Sequence, residues 1–218
     1  MFTGLIQDVG RLEWVEKHQG GASLKISTTL STSDWELGES VAVQGACLTV
    51  TKLEGSLFSV DCSPETMRRT TLGRLRVGAW LHLERALQLS DRLGGHLVSG
   101  HIDGVGIIRS MKNEGNSRII DVETSSELMR YMIEKGSICV DGVSLTLNTL
   151  SDSLFSLAII PHTVEKTGLN RYKVGDEVNL EVDMVAKYIE RFVQPWKKDK
   201  SSSSSNIDDS FLKKHGFM

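Results

Sequence analysis

The chain carries no surplus of charge that would draw it to a polyanion. Its 25 basic and 28 acidic residues are well mixed over 218 positions and leave a formal net charge of −3. That balance argues against nucleic acid or a membrane as a partner and favours a small, roughly neutral ligand. No stretch reaches the roughly 18 apolar residues that a membrane span requires. The opening Met1-Phe2-Thr3-Gly4-Leu5-Ile6 lacks the basic-then-apolar layout of a signal peptide, so an unexported, cytoplasmic protein is expected. Cysteine is scarce: Cys47, Cys62 and Cys139 are odd in number and lack CxxC spacing, which excludes a disulfide framework and a structural zinc site. No phosphate-cradling loop or metal-ligand cluster occurs, and neither a metal nor a cofactor is expected.

What is present is a repeat. Val43-Gln44-Gly45-Ala46-Cys47-Leu48-Thr49-Val50 returns as Val140-Asp141-Gly142-Val143-Ser144-Leu145-Thr146-Leu147, 97 positions later. Laying 41–84 on 138–181 pairs identical residues at 18 of 44 positions, where average composition would give about 3. An ungapped match of that density marks a duplicated unit, and a period near a hundred residues marks two whole domains, not a solenoid. The chain start has its own mate: Thr3-Gly4 and Val9-Gly10 fall on Ser99-Gly100 and Val105-Gly106, which sets His101 where the first half has Leu5.

Within each unit the signal is short alternating runs. Leu24, Ile26 and Thr28, then Val41 and Val43, then Leu81 and Leu83 read as half-buried strands, with Gly20-Gly21 as a hairpin turn. Ser63-Pro64-Glu65-Thr66 reads as a cap, a proline at the first helical position and an acidic first turn. The second half offers 105–108, 119–122, 138–140, 154–160 and the alternation Val178, Leu180, Val182, with a short capped helix around Leu128, Met129, Met132 and Ile133. About six strands per half, small helical plugs and no long crossovers predict an all-β chain of two tandem six-stranded Greek-key barrels. We place the first barrel at 1–87, a linker at 88–96 and the second barrel at 97–183. From Met184 to Trp196 apolar residues recur on one helical stripe with no counterpart in the first half, so 184–197 is expected to be a helix that buries its stripe on the barrel or, the reading favoured here, on another chain. Residues 198–218, with their run of serines, are expected to be a disordered tail.

Several residues stand out chemically. Gly45 and Gly142 fall inside strand patterns, where glycine marks a bulge, a barrel corner or a close backbone approach. Cys47 with Thr49, and Ser144 with Thr146, place two polar side chains on one strand face, and doing so twice suggests a groove for a polyhydroxy or heterocyclic ligand. Cys47 is either a nucleophile or a core filler. His96 and His101 are hemmed by glycines without a third metal ligand, and acid–base or hydrogen-bonding duty suits His101 best.

Met1-Phe2-Thr3-Gly4, Gly45-Ala46-Cys47-Leu48-Thr49-Val50, Gly94-Gly95-His96-Leu97-Val98-Ser99-Gly100-His101 and Asp141-Gly142-Val143-Ser144-Leu145-Thr146 occur in order, and together they make the chain, from Met1 to about Trp196, resemble the riboflavin synthase family. The resemblance implies double Greek-key barrels and a homotrimer held by the C-terminal helix. It implies dismutation of two 6,7-dimethyl-8-ribityllumazine molecules, without metal or cofactor, to riboflavin and 5-amino-6-ribitylamino-2,4-pyrimidinedione. One substrate would lie on the first barrel and the other on the second barrel of a neighbouring chain. Carried onto matching positions, one site would use Cys47, Leu48 and Thr49, Asp61, Cys62, Ser63, Pro64, Glu65 and Thr66, Lys135, and Gly100, His101 and Ile102. Its mate would use Ser144, Leu145 and Thr146, Ile159, Ile160, Pro161, His162 and Thr163, and Gly4, Leu5 and Ile6. Cys47, His101, Ser144 and Asp141 are the catalytic candidates: His101 as proton carrier, Cys47 or a water near Ser144 as nucleophile, Asp141 as a support for Ser144 or for the local backbone. Two departures from the family pattern are Gln44, where asparagine is common, and His162, where the first half has Glu65. The alternative reading is a non-catalytic lumazine or flavin carrier of the same fold.

Overall fold

The computed structural model describes residues 1–202 and 209–217, and the side chains of residues 1–193 and 210–217. Among the described residues twelve strands form two closed antiparallel barrels. The first comprises β1 (Asp8–His18), β2 (Gly21–Ser27), β3 (Ser40–Val43), β4 (Ala46–Glu54), β5 (Leu57–Cys62) and β6 (Trp80–Arg85), in the spatial order β1-β2-β5-β4-β3-β6. The second repeats that order with β7 (Gly104–Glu114), β8 (Ser117–Glu123), β9 (Ser137–Val140), β10 (Val143–Leu150), β11 (Leu154–Ile159) and β12 (Glu177–Val182). Closure leaves no exposed sheet edge, and the alternation of each strand fills one interior. Leu24, Ile26, Val50, Phe58, Val60, Leu81 and Leu83 pack inside the first barrel, and Ile108, Ile138, Leu147, Phe155, Val178 and Leu180 inside the second.

The helices between the barrel strands are short plugs. α1 (Pro64–Arg69) starts on Ser63, whose Oγ accepts the Thr66 N–H at 3.0 Å, as the cap pattern predicts. Its mate α3 (Pro161–Lys166) begins after Ile160, which offers no capping side chain. The helix expected around 128–133 is a single turn, α2 (Ser126–Met129), without a side-chain cap. The apolar spacing there comes from burial of Leu128 and Met132 under the barrel, not from a longer helix.

Gly45 and Gly142 are neither bulges nor barrel corners. Gln44-Gly45 (φ 50° and 80°) and Asp141-Gly142 (φ 45° and 87°) are two-residue hairpin loops joining β3 to β4 and β9 to β10, with both central residues left-handed. The bulges lie instead at Leu12–Trp14 and Val50–Lys52, and at the equivalent Ile108–Ser110 and Leu147–Thr149. The close approach expected of these glycines is real, because the two loops press on each other. A Cβ on Gly45 would sit 2.6 Å from the Gly142 nitrogen.

Around that contact runs a buried polar seam between the barrels. Asn179 donates its side-chain N–H to Gln44 O (2.8 Å) and accepts the Thr71 N–H (2.7 Å). Gln44 Oε1 accepts the His82 N–H (2.7 Å), and Asp141 accepts from Tyr172 Oη (2.5 Å) and the Asn179 N–H (2.7 Å). A shared apolar cluster of Phe2, Ala42, Val98 and Cys139 lies beside it, where Phe2 and Val98 form an antiparallel bridge.

By contact the chain divides into Met1–Met184 and Val185–Met218. The stretch expected as helix 184–197 lies within α4 (Met184–Ser202), and Val185, Tyr188, Ile189, Phe192 and Val193 are exposed on it. In the expected tail, Asp209–Lys214 form α5, while residues 203–208 and 218 lie outside the described residues. Among the described residues no helix is long and apolar enough to cross a membrane.

Candidate active site

The outward face of β4 carries Cys47 and Thr49, while Leu48 between them turns into the core. A strap that leads into the second barrel, Ser99 to Ile102, crosses onto this strand. The Cys47 N–H donates to Gly100 O at 2.8 Å, and Ile102 packs on the first barrel's core. Gly100 has a φ of +82°, and a Cβ there would meet Cys47 Cβ at 2.5 Å, so both conformation and space call for glycine. Between strap, strand and α1 lies a cleft of about 180 Å³ lined by Ala46, Cys47, Glu65, Thr66, Arg69, Thr70, Gly100, His101 and Ile102.

The mate is built the same way with the roles of the halves exchanged. The chain start crosses onto β10: the Ser144 N–H donates to Gly4 O at 2.8 Å, and Ile6 packs on the second barrel's core. A Cβ on Gly4 (φ +77°) would meet Ser144 Cβ at 2.6 Å. Thr146 is exposed, and Leu5 replaces His101 as the half-exposed strap residue. Ile159 lies in the core, whereas Ile160, Pro161 and His162 are exposed at the start of α3 beside the partly buried Thr163.

The structure therefore brings together Cys47, Glu65, Thr66, Gly100, His101 and Ile102 around one cleft, with Thr49 exposed two residues along the same strand face, and Gly4 with Ser144 on the equivalent face of the second barrel. It modifies several expectations. Leu48 and Cys62 send their side chains into the core, so only their backbone can meet a ligand. Burial, with Asp61 alongside, pushes the Cys62 thiol up to about 12, far from a thiolate. Asp61 faces outward and accepts from Ser23 Oγ at 2.7 Å. Glu65 is engaged by Arg68 and Arg69 on its own helix. Lys135 is not brought to the Cys47 group: it stands on the second barrel, left-handed at φ 64°, with Nζ on Asn148 Oδ1 at 2.7 Å.

The Asp141 carboxylate holds neither Ser144 nor the backbone next to it, but the N–H of Asn179 on β12. It points into the inter-barrel seam, where burial pushes it up to about 7 against the hydrogen bonds from Tyr172 and Asn179. The residue that does reach Ser144 is His96, assigned from the sequence to the linker. Its Nδ1 lies 2.7 Å from Ser144 Oγ, and its N–H is tied to Thr3 O at 3.1 Å. Burial lowers its pKa, opposed by the charge of Asp183, so the ring is held neutral and can accept a proton. Arg69 and Thr70 were also missed. They stand three and four residues after Thr66 on and just beyond α1, a spacing that could have brought them to the same face. Among the described residues no group of three or more His, Cys, Asp or Glu could hold a metal ion.

Comparison with known proteins agrees with this doubled geometry. The lumazine binding domain family matches twice, over residues 3–86 and 99–183. A riboflavin synthase of Actinobacillus pleuropneumoniae is 45% identical over the full length of both chains, and that of Bacillus subtilis is 38% identical over the same span. One from Mycobacterium bovis is 42% identical over 89% of this chain and 98% of its own. Among solved structures, LumP complexed with 6,7-dimethyl-8-(1'-D-ribityl) lumazine superposes over 84% of this chain and 99% of its own with a TM-score of 0.74 at 23% identity. LumP complexed with riboflavin gives a TM-score of 0.75, likewise at 23% identity. Those two share the fold, whereas the full-length identity to the synthases goes further: the chain belongs to the riboflavin synthase family.

Proposed function

We propose that this chain is a riboflavin synthase that dismutates two molecules of 6,7-dimethyl-8-ribityllumazine, passing a four-carbon unit from one to the other. The observation that carries the reading is the pair of unequal polar sets on a duplicated frame. Cys47, Thr49 and His101 serve one barrel, and Ser144, Thr146 and His96 the other. Two copies of one substrate must play different parts in such a reaction, and a duplicated site with different side chains meets that need.

The C7 methyl group of the lumazine is acidic because its carbanion delocalises into the ring system, so a modest base and enforced stacking of two rings can drive the chemistry. His101, exposed over the first cleft, is placed to carry the methyl proton. At the second cleft, neutral His96 on Ser144 Oγ can draw a proton from a hydroxyl or from a water held there, and the oxygen adds to C7 of the acceptor lumazine. Cys47 is the competing nucleophile. Lys135 and the outward residues of 61–66 and 160–163 remain candidates for binding the ribityl chains.

Three chains would meet through the apolar stripe of α4, so that a first-barrel cleft of one chain faces a second-barrel cleft of the next. Each barrel would be one lumazine-binding domain, joined by the linker 88–96, and the protein would work in the cytoplasm. The test is direct: purified protein with the lumazine and a chelator, without nicotinamide or flavin, should consume two lumazines per riboflavin formed. Tight lumazine binding without turnover would place it with the carriers.

A further inference from the structure

Glu84 in β6 and Glu181 in β12 are almost wholly buried, and neither lines the Cys47 cleft. Each carboxylate takes three donors. Glu84 accepts the N–H and hydroxyl of Thr3, both at 2.6 Å, and the Gly4 N–H at 3.0 Å. Glu181 accepts the N–H and hydroxyl of Ser99, both at 2.6 Å, and the Gly100 N–H at 2.9 Å. Each hydroxyl then accepts the next N–H along, Leu5 on Thr3 Oγ1 and His101 on Ser99 Oγ, at 3.2 Å. One carboxylate thus fixes three successive N–H groups of a strap, directly or through one hydroxyl. Yet each strap makes its next bond on the other barrel, through Gly4 O to Ser144 and Gly100 O to Cys47. A carboxylate is costly to bury, and a place that only needed filling would be served as well by an apolar side chain.

We propose that Glu84 and Glu181 are positioning residues wired crosswise: Glu84 of the first barrel sets the Ser144 face of the second, and Glu181 of the second barrel sets the Cys47 cleft on the first. This rests on the reading of both places as lumazine sites. Glutamine is the informative replacement, because it keeps the shape but turns an amide donor toward a strap donor.

Cys47 supplies the readout, since Cys62 and Cys139 lie in the core. Full-length protein is alkylated with iodoacetamide in the presence of graded 6,7-dimethyl-8-ribityllumazine, and the modified cysteine is followed by mass spectrometry beside kcat and KM. Glu181→Gln should raise the lumazine concentration that half-protects Cys47 by about tenfold or more, the loss of a hydrogen bond to a charged group. Glu84→Gln should leave it within about twofold, because Glu84 holds the strap that bonds Ser144 and not the strap that bonds Cys47, while still slowing riboflavin formation. Should either glutamine variant fail to fold, Ser99→Ala and Thr3→Ala remove one donor each and should show the same contrast at smaller size. Equal shifts in both variants, or the reverse assignment, overturn the wiring while leaving the lumazine reading intact. No protection and no turnover in the unaltered chain would remove that reading and the wiring with it.

Discussion

The two barrels share their strand order, their left-handed hairpin loops and their crossed straps, and they differ at the positions that matter for chemistry. Where the first has Cys47 under His101, the second has Ser144 under Leu5 and draws on His96 from the linker. The seam shows the same division. The Asn179 side chain on the second barrel bonds two backbone groups, Gln44 O and the Thr71 N–H, whereas its counterpart His82 bonds Asp141 O through Nδ1 at 2.8 Å and takes the Gly168 N–H on Nε2 at 2.7 Å. Arg74 pairs with Glu177 on one flank, while the matching Arg171 lies over the Trp80 ring at 4.6 Å on the other. Duplication supplies the frame, and divergence at a few outward or interfacial positions makes the halves complementary.

The largest effect should come from breaking what the halves share. Gly45→Ala puts a methyl group 2.6 Å from the Gly142 nitrogen at φ +80°, and is expected to cost about 3 kcal/mol or more in chemical denaturation. Gly55→Ala, at φ +64° with open space around it, should cost only about 1 kcal/mol. Equal costs would mean that the loop-to-loop contact contributes nothing.

Next come the residues that set the halves apart. His96→Ala and His101→Ala should each lower kcat by roughly 10²-fold if each moves a proton in a slow step. Because burial lowers the His96 pKa, the acid limb that belongs to it should fall below the ordinary histidine value and vanish in His96→Ala. An unchanged kcat with a raised KM in either variant would demote that histidine to binding.

A smaller effect lies in the pH dependence of stability. Burial, aided by the Arg171 charge, lowers His82 to about 4, so between about 4 and 6.5 the unfolded chain binds the proton and the folded chain does not. Stability contributed there rises with pH. Asp141, raised to about 7, has the opposite sign: its contribution is full below the ordinary carboxyl value and is lost as pH rises toward 7. The two slopes oppose each other in the unaltered chain. His82→Asn should therefore give stability that falls with pH across this window, and Asp141→Asn stability that rises, both read from denaturation midpoints. Parallel profiles would show that the seam does not hold these groups as described.

The frame was legible because barrel strands leave a period-two mark and because duplication repeated it. Cys47, Thr49, Ser144 and Thr146 were legible for the same reason, since alternation tells which side chains leave the core. The close approach at Gly45 and Gly142 was legible, but the turn was not, because Val41 to Val50 looks like one interrupted strand and a sequence does not display the sign of φ. His96 was passed over because a segment without periodicity gives no direction to its side chains. The inward turn of Asp141 depends on Tyr172 and Asn179, 31 and 38 residues away, a pairing that no local pattern announces.

The central claim is that the unequal clefts must meet across chains, and subunit mixing tests it most directly. A His101→Ala chain is impaired at the first cleft and a His96→Ala chain at the second, so each alone should be slow. Unfolded together and refolded, they should regain riboflavin formation well above either parent, because some pairings unite an intact first cleft with an intact second one. A refolded mixture no faster than its parents, with mixed assemblies demonstrated by mass, would contradict the shared-site account.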